Sequence, residues 1–291
     1  MGVDIPPSIC LGGVDLYWGA FLIVAVFTVL LVLSPAIYAL GLLSVAASLS
    51  RLTQSAIVPG RFPRELAHAV YGRRRLYALC WTTVYYCGPL YHAILAVPWL
   101  RRATFRAFGY RGPLGFTTYP DTWLRDLPLL TIAEGAYLAN KATIGTNVCL
   151  RSGDIVVGPI EIGAGALVGH LAVIGPGSVL GPEAELGVGA TLGMDVRVGR
   201  GARIGPCAGI NHGAVIGDGA EIGAASTVGV RAVIDPGVRI PSQFAVPDRA
   251  HVRSADDVAG LRTVRRRSAH RLLGSMQVPP LPPGTPTQAW E

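Results

Sequence analysis

Six histidines are the chain's imidazoles: His68, His92, His170, His212, His251 and His270. Two of them repeat one local pattern. His170-Leu171-Ala172-Val173-Ile174-Gly175 and His212-Gly213-Ala214-Val215-Ile216-Gly217 each set a histidine four residues before an aliphatic-Gly pair. An imidazole with a pKa of about 6.5 can take the proton from a hydroxyl or amine as it attacks a carbonyl, so both are candidate general bases. His212 comes first, because Asn211 before it replaces a glycine of the local pattern and Asp218 follows as an orienting or binding group; His170 is the reserve. The plainer reading is a solvated outer side chain. No metal is expected: the two histidines are seven repeats apart, roughly 11 Å in height, against a ligand distance of about 2 Å. No Gly-rich loop follows a strand and opens a helix, so nucleotide hydrolysis has no support.

The elements that must position these histidines show in a longer regularity. From Ile132 to Ile240 every sixth residue is aliphatic, nineteen positions in succession. Twelve are followed by Gly, with Asn211 and Asp235 among the exceptions, and in thirteen cases Ala or Ser lies two positions before. The residue after each aliphatic is read as a tight corner with positive φ, which Gly, Asn and Asp tolerate. A period of six with these occupants marks hexapeptide β-helix repeats, since the helical period of about 3.6 does not divide six and the glycines would destroy a helix.

The stretch resembles the left-handed parallel β-helix of hexapeptide acyltransferases, in which three repeats complete a triangular coil. The resemblance implies a β fold of about six coils over residues 131–252, a prism roughly 30 Å tall, preceded by α-helical membrane segments. The histidine register is similar to the catalytic His-x-x-x-aliphatic-Gly motif of UDP-N-acetylglucosamine acyltransferases and sialic-acid-type acetyltransferases. That implies transfer from a thioester, on coenzyme A or a carrier protein, to an amine or hydroxyl. It also implies a homotrimer with the donor between neighbouring prisms and no tightly bound cofactor.

The remaining chain reads as attachment to a bilayer. Leu16 to Ser50 holds no charged residue; as one helix it would measure roughly 52 Å against a hydrocarbon core of about 30 Å. Pro35 near its middle therefore predicts two short membrane helices or one sharp kink. Leu76 to Leu100 is again uncharged, rich in Tyr and Trp, and broken at Gly88-Pro89. Arginines at both its ends predict a re-entrant or interfacial hairpin with aromatics in the headgroup zone and His92 among them. The net charge of +7 clusters beside these apolar segments, which favours a membrane surface over nucleic acid; with no basic stripe interleaved with aromatics in the repeats, no nucleic-acid partner is expected. Five scattered cysteines without a CxxC pair fit reduced thiols. The expected location is a bacterial inner membrane with the β-helix on the cytoplasmic side. Residues 1–130 form the anchoring region (apolar at 16–50 and 76–100). Pro241 to Pro247 closes the coils, a basic helix spans Leu261 to Leu273, and the tail from Gln277 is Pro-rich and disordered, within a C-terminal region 253–291.

Apolar segments, the connector Pro59-Gly60-Arg61-Phe62-Pro63, an Arg-rich exit and then the coils look like one membrane-anchored terminal module of ε-poly-lysine-type nonribosomal peptide synthetases. This likeness implies acyl or aminoacyl transfer at the membrane, with a peptide synthetase or carrier protein as partner. It places a histidine where the early coils turn irregular; Asn147 stands there, able to hold a carbonyl by hydrogen bonding and unable to act as a base. The repeats loosen between Val148 and Ile160, which predicts a loop or groove. Two alternatives stand beside the transferase: a non-catalytic scaffold subunit of a membrane synthetase complex, and a polysaccharide O-acetyltransferase.

Overall fold

The computed structural model describes residues 8–263. Between Thr117 and Val252 the chain winds into a parallel β-solenoid with seven stacked parallel strands on each of three faces. After a short strand β1 (Gly60–Pro63), β2 (Thr117–Thr118), β3 (Trp123–Leu124) and β4 (Leu130–Ile132) make the first turn. The aliphatic series points inward as the period requires: Ile144, Val168, Ile174 and Leu186 are fully buried, and so are the alanines two positions before them. The solenoid is longer than the 132–240 repeat in both directions. Pro241 merely occupies a corner, and the strands Phe244–Val246 and His251–Val252 complete one more turn beyond it.

The glycines after the aliphatics are not the left-handed residues. Positive φ falls two residues later, at Gly177, Gly189, Gly201 and Gly213, and at Lys141, Leu171, Asp195 and Cys207 in other turns. What excludes a side chain at the corner is the next coil. A Cβ on Gly163 would lie 2.3 Å from Pro182 N, and one on Gly217 would lie 2.4 Å from Pro236 N.

Two repeats of the series lie outside the prism. After β5 (Tyr137–Leu138) and β6 (Thr143–Ile144) the chain leaves as an antiparallel hairpin, β7 (Asn147–Cys149) and β8 (Asp154–Val157), and returns at β9 (Ile160–Ile162). Ile132 therefore pairs with Ile162, and Ile144 with Ile174. The detour consumes two whole repeats, so the period re-enters in phase and conceals it. Leu150 and Val156 are only half-buried, while Ile155 and Val157 face inward against β1, which adds to β8 as a third strand. The connector motif is thus a strand, tied by Arg61 Nε donating to Asp154 Oδ2 at 2.8 Å.

The N-terminal apolar segment is a single helix, α1 (Ser8–Thr53), not two. Pro35 leaves the carbonyl of Leu31 without its backbone donor, and Ser34 Oγ donates to that carbonyl at 2.9 Å. The excess length has a second use. From Trp18 the helix is apolar and exposed, long enough to cross a membrane, whereas Leu43, Ala46, Ser50 and Thr53 are buried on one face. That face packs on α2 (Ala69–Tyr86). The break at Gly88-Pro89 separates α2 from α3 (Gly88–Ala96), followed by α4 (Pro98–Ala107). The aromatics assigned to headgroups mostly face protein: Tyr77, Trp81 and Tyr91 are at most 1% exposed, and only Tyr86 and Trp99 stand out. Trp81 stacks edge-on to Phe108 at 5.1 Å and donates Nε1 to the Leu124 carbonyl at 2.7 Å. His92 is exposed on α3. Arg262–Thr263 is a strand antiparallel to Phe244–Ala245, so the basic helix does not begin at Leu261; the rest of it and the tail lie outside the described residues.

Two glycine substitutions separate corner crowding from strand propensity. Gly217→Ala should cost about 1–3 kcal/mol through forced displacement of the next coil. Gly209→Ala, outward on its strand with no atom closer than 3.7 Å, should be neutral or stabilising by roughly 0.4–1 kcal/mol. Denaturant midpoints of the two variants check this.

Candidate functional site

The helices and the solenoid meet over a buried ion pair. Arg74 on α2, 3% exposed, donates Nη2 to Asp126 Oδ2, which also accepts the Thr146 hydroxyl. Asp126 adopts a left-handed backbone at φ 49°, which Asp tolerates better than most residues. Burial lowers the proton affinity of Arg74, and the Asp126 carboxylate opposes that. Around the pair, Tyr77 donates its hydroxyl to the Phe108 carbonyl at 2.8 Å, and Tyr110 donates to Ile132 at 3.0 Å. Arg74 Nη1 is buried and has no partner among the described residues.

Arg74 also belongs to the wall of a cavity of about 460 Å³ between α2 and the β7–β8 hairpin. Arg64, Arg75 and Arg125 line it together with Asn147 and Cys149, while Leu79 and Ile155 supply an apolar side. Arg64 Nη1 lies 3.6 Å from Cys149 Sγ. The irregular repeat around Asn147 does form a groove, and Asn147 faces it. The arginines could not be found from spacing, since they come from the connector, α2 and the first turn.

The histidines lie elsewhere. His170, His212 and Asp218 occupy corners after Val168, Ile210 and Ile216, and therefore three different edges of the prism. His212 shares the cavity's edge but lies three coils along it, roughly 14 Å. Its Nδ1 accepts the Met194 backbone N–H at 2.8 Å. Asp218 does the same for Arg200 N–H at 2.8 Å, Asp248 for Val230 at 2.7 Å and Ser242 for Ala224 at 3.1 Å. Asn211 donates Nδ2 to the Val228 carbonyl at 2.9 Å. These side chains stitch one coil to the next. With Nδ1 accepting, the proton of a neutral His212 sits on Nε2, and this tautomer offers a donor to solvent, not a base. His170 is exposed and its ring makes no hydrogen bond among the described residues. A pair missed in the sequence is His251 Nε2 with Asp235 Oδ1 at 2.6 Å, but Arg253 Nε donates to the other ring nitrogen at 3.4 Å. Among the described residues no cluster of three metal-ligating side chains occurs.

His212→Asp should retain stability, because it keeps the acceptor, whereas His212→Ala should lose about 1 kcal/mol. Asp126→Asn, which keeps the left-handed backbone accessible but strands the Arg74 charge, should cost about 3–5 kcal/mol. Urea titration measures both, and faster proteolysis within α2 should accompany the second.

Residues 195–230 match the family described as bacterial transferase hexapeptide (six repeats). No curated protein sequence matches the chain. Among solved structures, a perosamine N-acetyltransferase of Caulobacter crescentus, bound to CoA and GDP-perosamine, is 19% identical over 56% of this chain and 61% of its own, with a TM-score of 0.29. The acetyltransferase domain of PglB from Neisseria gonorrhoeae, with acetyl coenzyme A, is 21% identical over 42% of this chain and 53% of its own, with a TM-score of 0.28. A UDP-N-acetylglucosamine O-acyltransferase of Moraxella catarrhalis gives 16%, 46%, 66% and 0.24 for the same quantities. The chain thus spans 61% and 53% of the first two structures it matches.

Proposed function

We propose that the chain is a membrane-anchored acyltransferase with a left-handed β-helix. It would move an acyl or aminoacyl group from a thioester of coenzyme A or a carrier protein to an amine or hydroxyl. The match of residues 195–230 to repeats described for bacterial transferases carries the reading. The cavity beside Asn147 supplies a place for the reaction, at the junction with the apolar helix. In this proposal Asn147 holds the acyl carbonyl and the prism faces the cytoplasm at the inner membrane. The proton acceptor is His170, the repeat histidine whose ring is not already engaged. His170 and the cavity lie on different edges of one prism, so the complete site would require a second copy of the chain, as in a homotrimer.

A second reading, a non-catalytic scaffold for a membrane synthetase, is favoured by the structural use of His212, Asn211 and Asp218. Release of free thiol by the detergent-purified protein separates the two. With a panel of acyl-coenzyme A and carrier-bound donors and amine or hydroxyl acceptors, acceptor-dependent release should fall at least tenfold in His170→Ala and in Asn147→Ala. It should survive in His212→Asp. Equal release from all variants would sink the assigned residues, and silence from wild type across both donor classes would favour the scaffold.

A further inference from the structure

We propose that the cavity between α2 and the β7–β8 hairpin is a binding site for a phosphate group. Four arginines line it and, among the described residues, no carboxylate does. Asp126, behind the wall, pairs with Arg74 and lies 3.9 Å from Arg125 Nε, so its single negative charge leaves a net three positive charges around one space. Concentrating like charges in this way is unfavourable without a bound anion.

The decisive group is Arg74. It lines the cavity yet is only 3% exposed, its Nη2 is satisfied by Asp126, and its Nη1 is buried with no partner among the described residues. A buried donor left unpaired costs stability that a ligand oxygen would restore. Donors converging from α2, the connector and the first turn suit a tetrahedral anion, whose several oxygens can each accept from a different guanidinium; a carboxylate offers two. The volume of about 460 Å³ exceeds a phosphate alone, and Leu79 and Ile155 give an apolar surface for the rest of the molecule. The shared chemistry is a phosphate ester, whether of a soluble thioester carrier such as coenzyme A or of a phospholipid headgroup. The inference rests on the cavity's own charge and stands whether or not transfer occurs.

Cys149, exposed on the cavity wall beside Arg64, is a built-in reporter. The full chain in detergent would be labelled with a thiol reagent, and modification at Cys149 followed by peptide mass spectrometry. The probes are inorganic phosphate, acetyl coenzyme A, whose sulfur is masked and cannot consume the reagent, and vesicles of phosphatidylcholine with and without phosphatidylglycerol. Phosphate or acetyl coenzyme A should slow labelling at least fivefold in a saturable, salt-sensitive way. The double variant Arg64→Gln/Arg75→Gln, at two exposed positions, should abolish the protection. Protection by phosphatidylglycerol vesicles alone, lost in the same variant, would support the site and identify the headgroup as its source. Absence of protection by every probe, or equal protection in the double variant, would overturn it. Thiol release measured on unlabelled portions of the same preparations separates the two readings. Protection without turnover leaves the phosphate site standing and removes the transferase; turnover without protection does the reverse.

Discussion

Backbone hydrogen bonds between successive coils set a spacing that leaves no room for a Cβ at most corners. Gly163, Gly181, Gly199 and Gly217 each meet the backbone of the coil above at under 3 Å from where a side chain would begin. The ladder that imposes this is continuous: Gly181 N–H reaches Val198 O, Gly199 reaches Ile216 O and Gly217 reaches Ile234 O, each at 2.8 Å. With the corner itself empty, the next residue lies against the coil before it. Its side chain can then cap a backbone N–H that the strands, only two residues long, leave unpaired. Asp218, Asp248, Ser242 and His212 do this at four different corners. The spacing therefore dictates both the glycines and the acceptors beside them.

The second dependence is at the junction. A solenoid end exposes unpaired strand edges and apolar interior, and here Trp81 and Tyr85 of α2 cover Leu124 and Trp123 of the first turn, with Phe105 of α4 against Phe116 just before it. The charged pair within that cover is weak in itself as a source of stability, since desolvating both ions offsets most of their attraction. It fixes register instead. Asp126 lies between helix and solenoid, accepting from Arg74 on one side and Thr146 on the other, so α2 seats in one position. The same seating places α2 against the buried end of α1.

How legible these features were differs by physical cause. The solenoid was plain in the sequence because one inward residue per six is required in every turn. The detour was not, because it removes twelve residues and the phase survives; Leu150 and Val156 fit the period by coincidence of length while Ile155 and Val157 are the ones buried. The loosening around Asn147 was nevertheless visible, since a hairpin needs no corner glycine. The corner glycines were recognised for the wrong property: sterics between coils leave the same sequence mark as positive φ. The aromatics of Leu76 to Leu100 were misplaced for a similar reason, as tyrosines and tryptophans that pack on protein and those that face headgroups share a composition. Of the cavity's arginines, Arg74 and Arg75 stand together in a basic run beside an apolar segment, but nothing in the sequence joins them to Arg64 and Arg125, which meet them only by tertiary contact.

The position of His212 bears on what an imidazole in a repeat signifies. Its turn-mates show that the scaffold asks only for an acceptor, and Asp or Ser meets that need with a smaller side chain. A histidine meeting it must keep Nδ1 unprotonated towards Met194, so Nε2 carries hydrogen outward. Such a ring is prepared to donate to a developing oxyanion and is ill-placed to remove a proton. If it did take up a proton at Nδ1, the Met194 N–H would lose its acceptor, at the cost of a corner hydrogen bond. Matching a histidine to a catalytic register by sequence spacing therefore cannot assign a general base by itself. The hydrogen bond at the opposite nitrogen decides between acid and base, and here it decides for a donor.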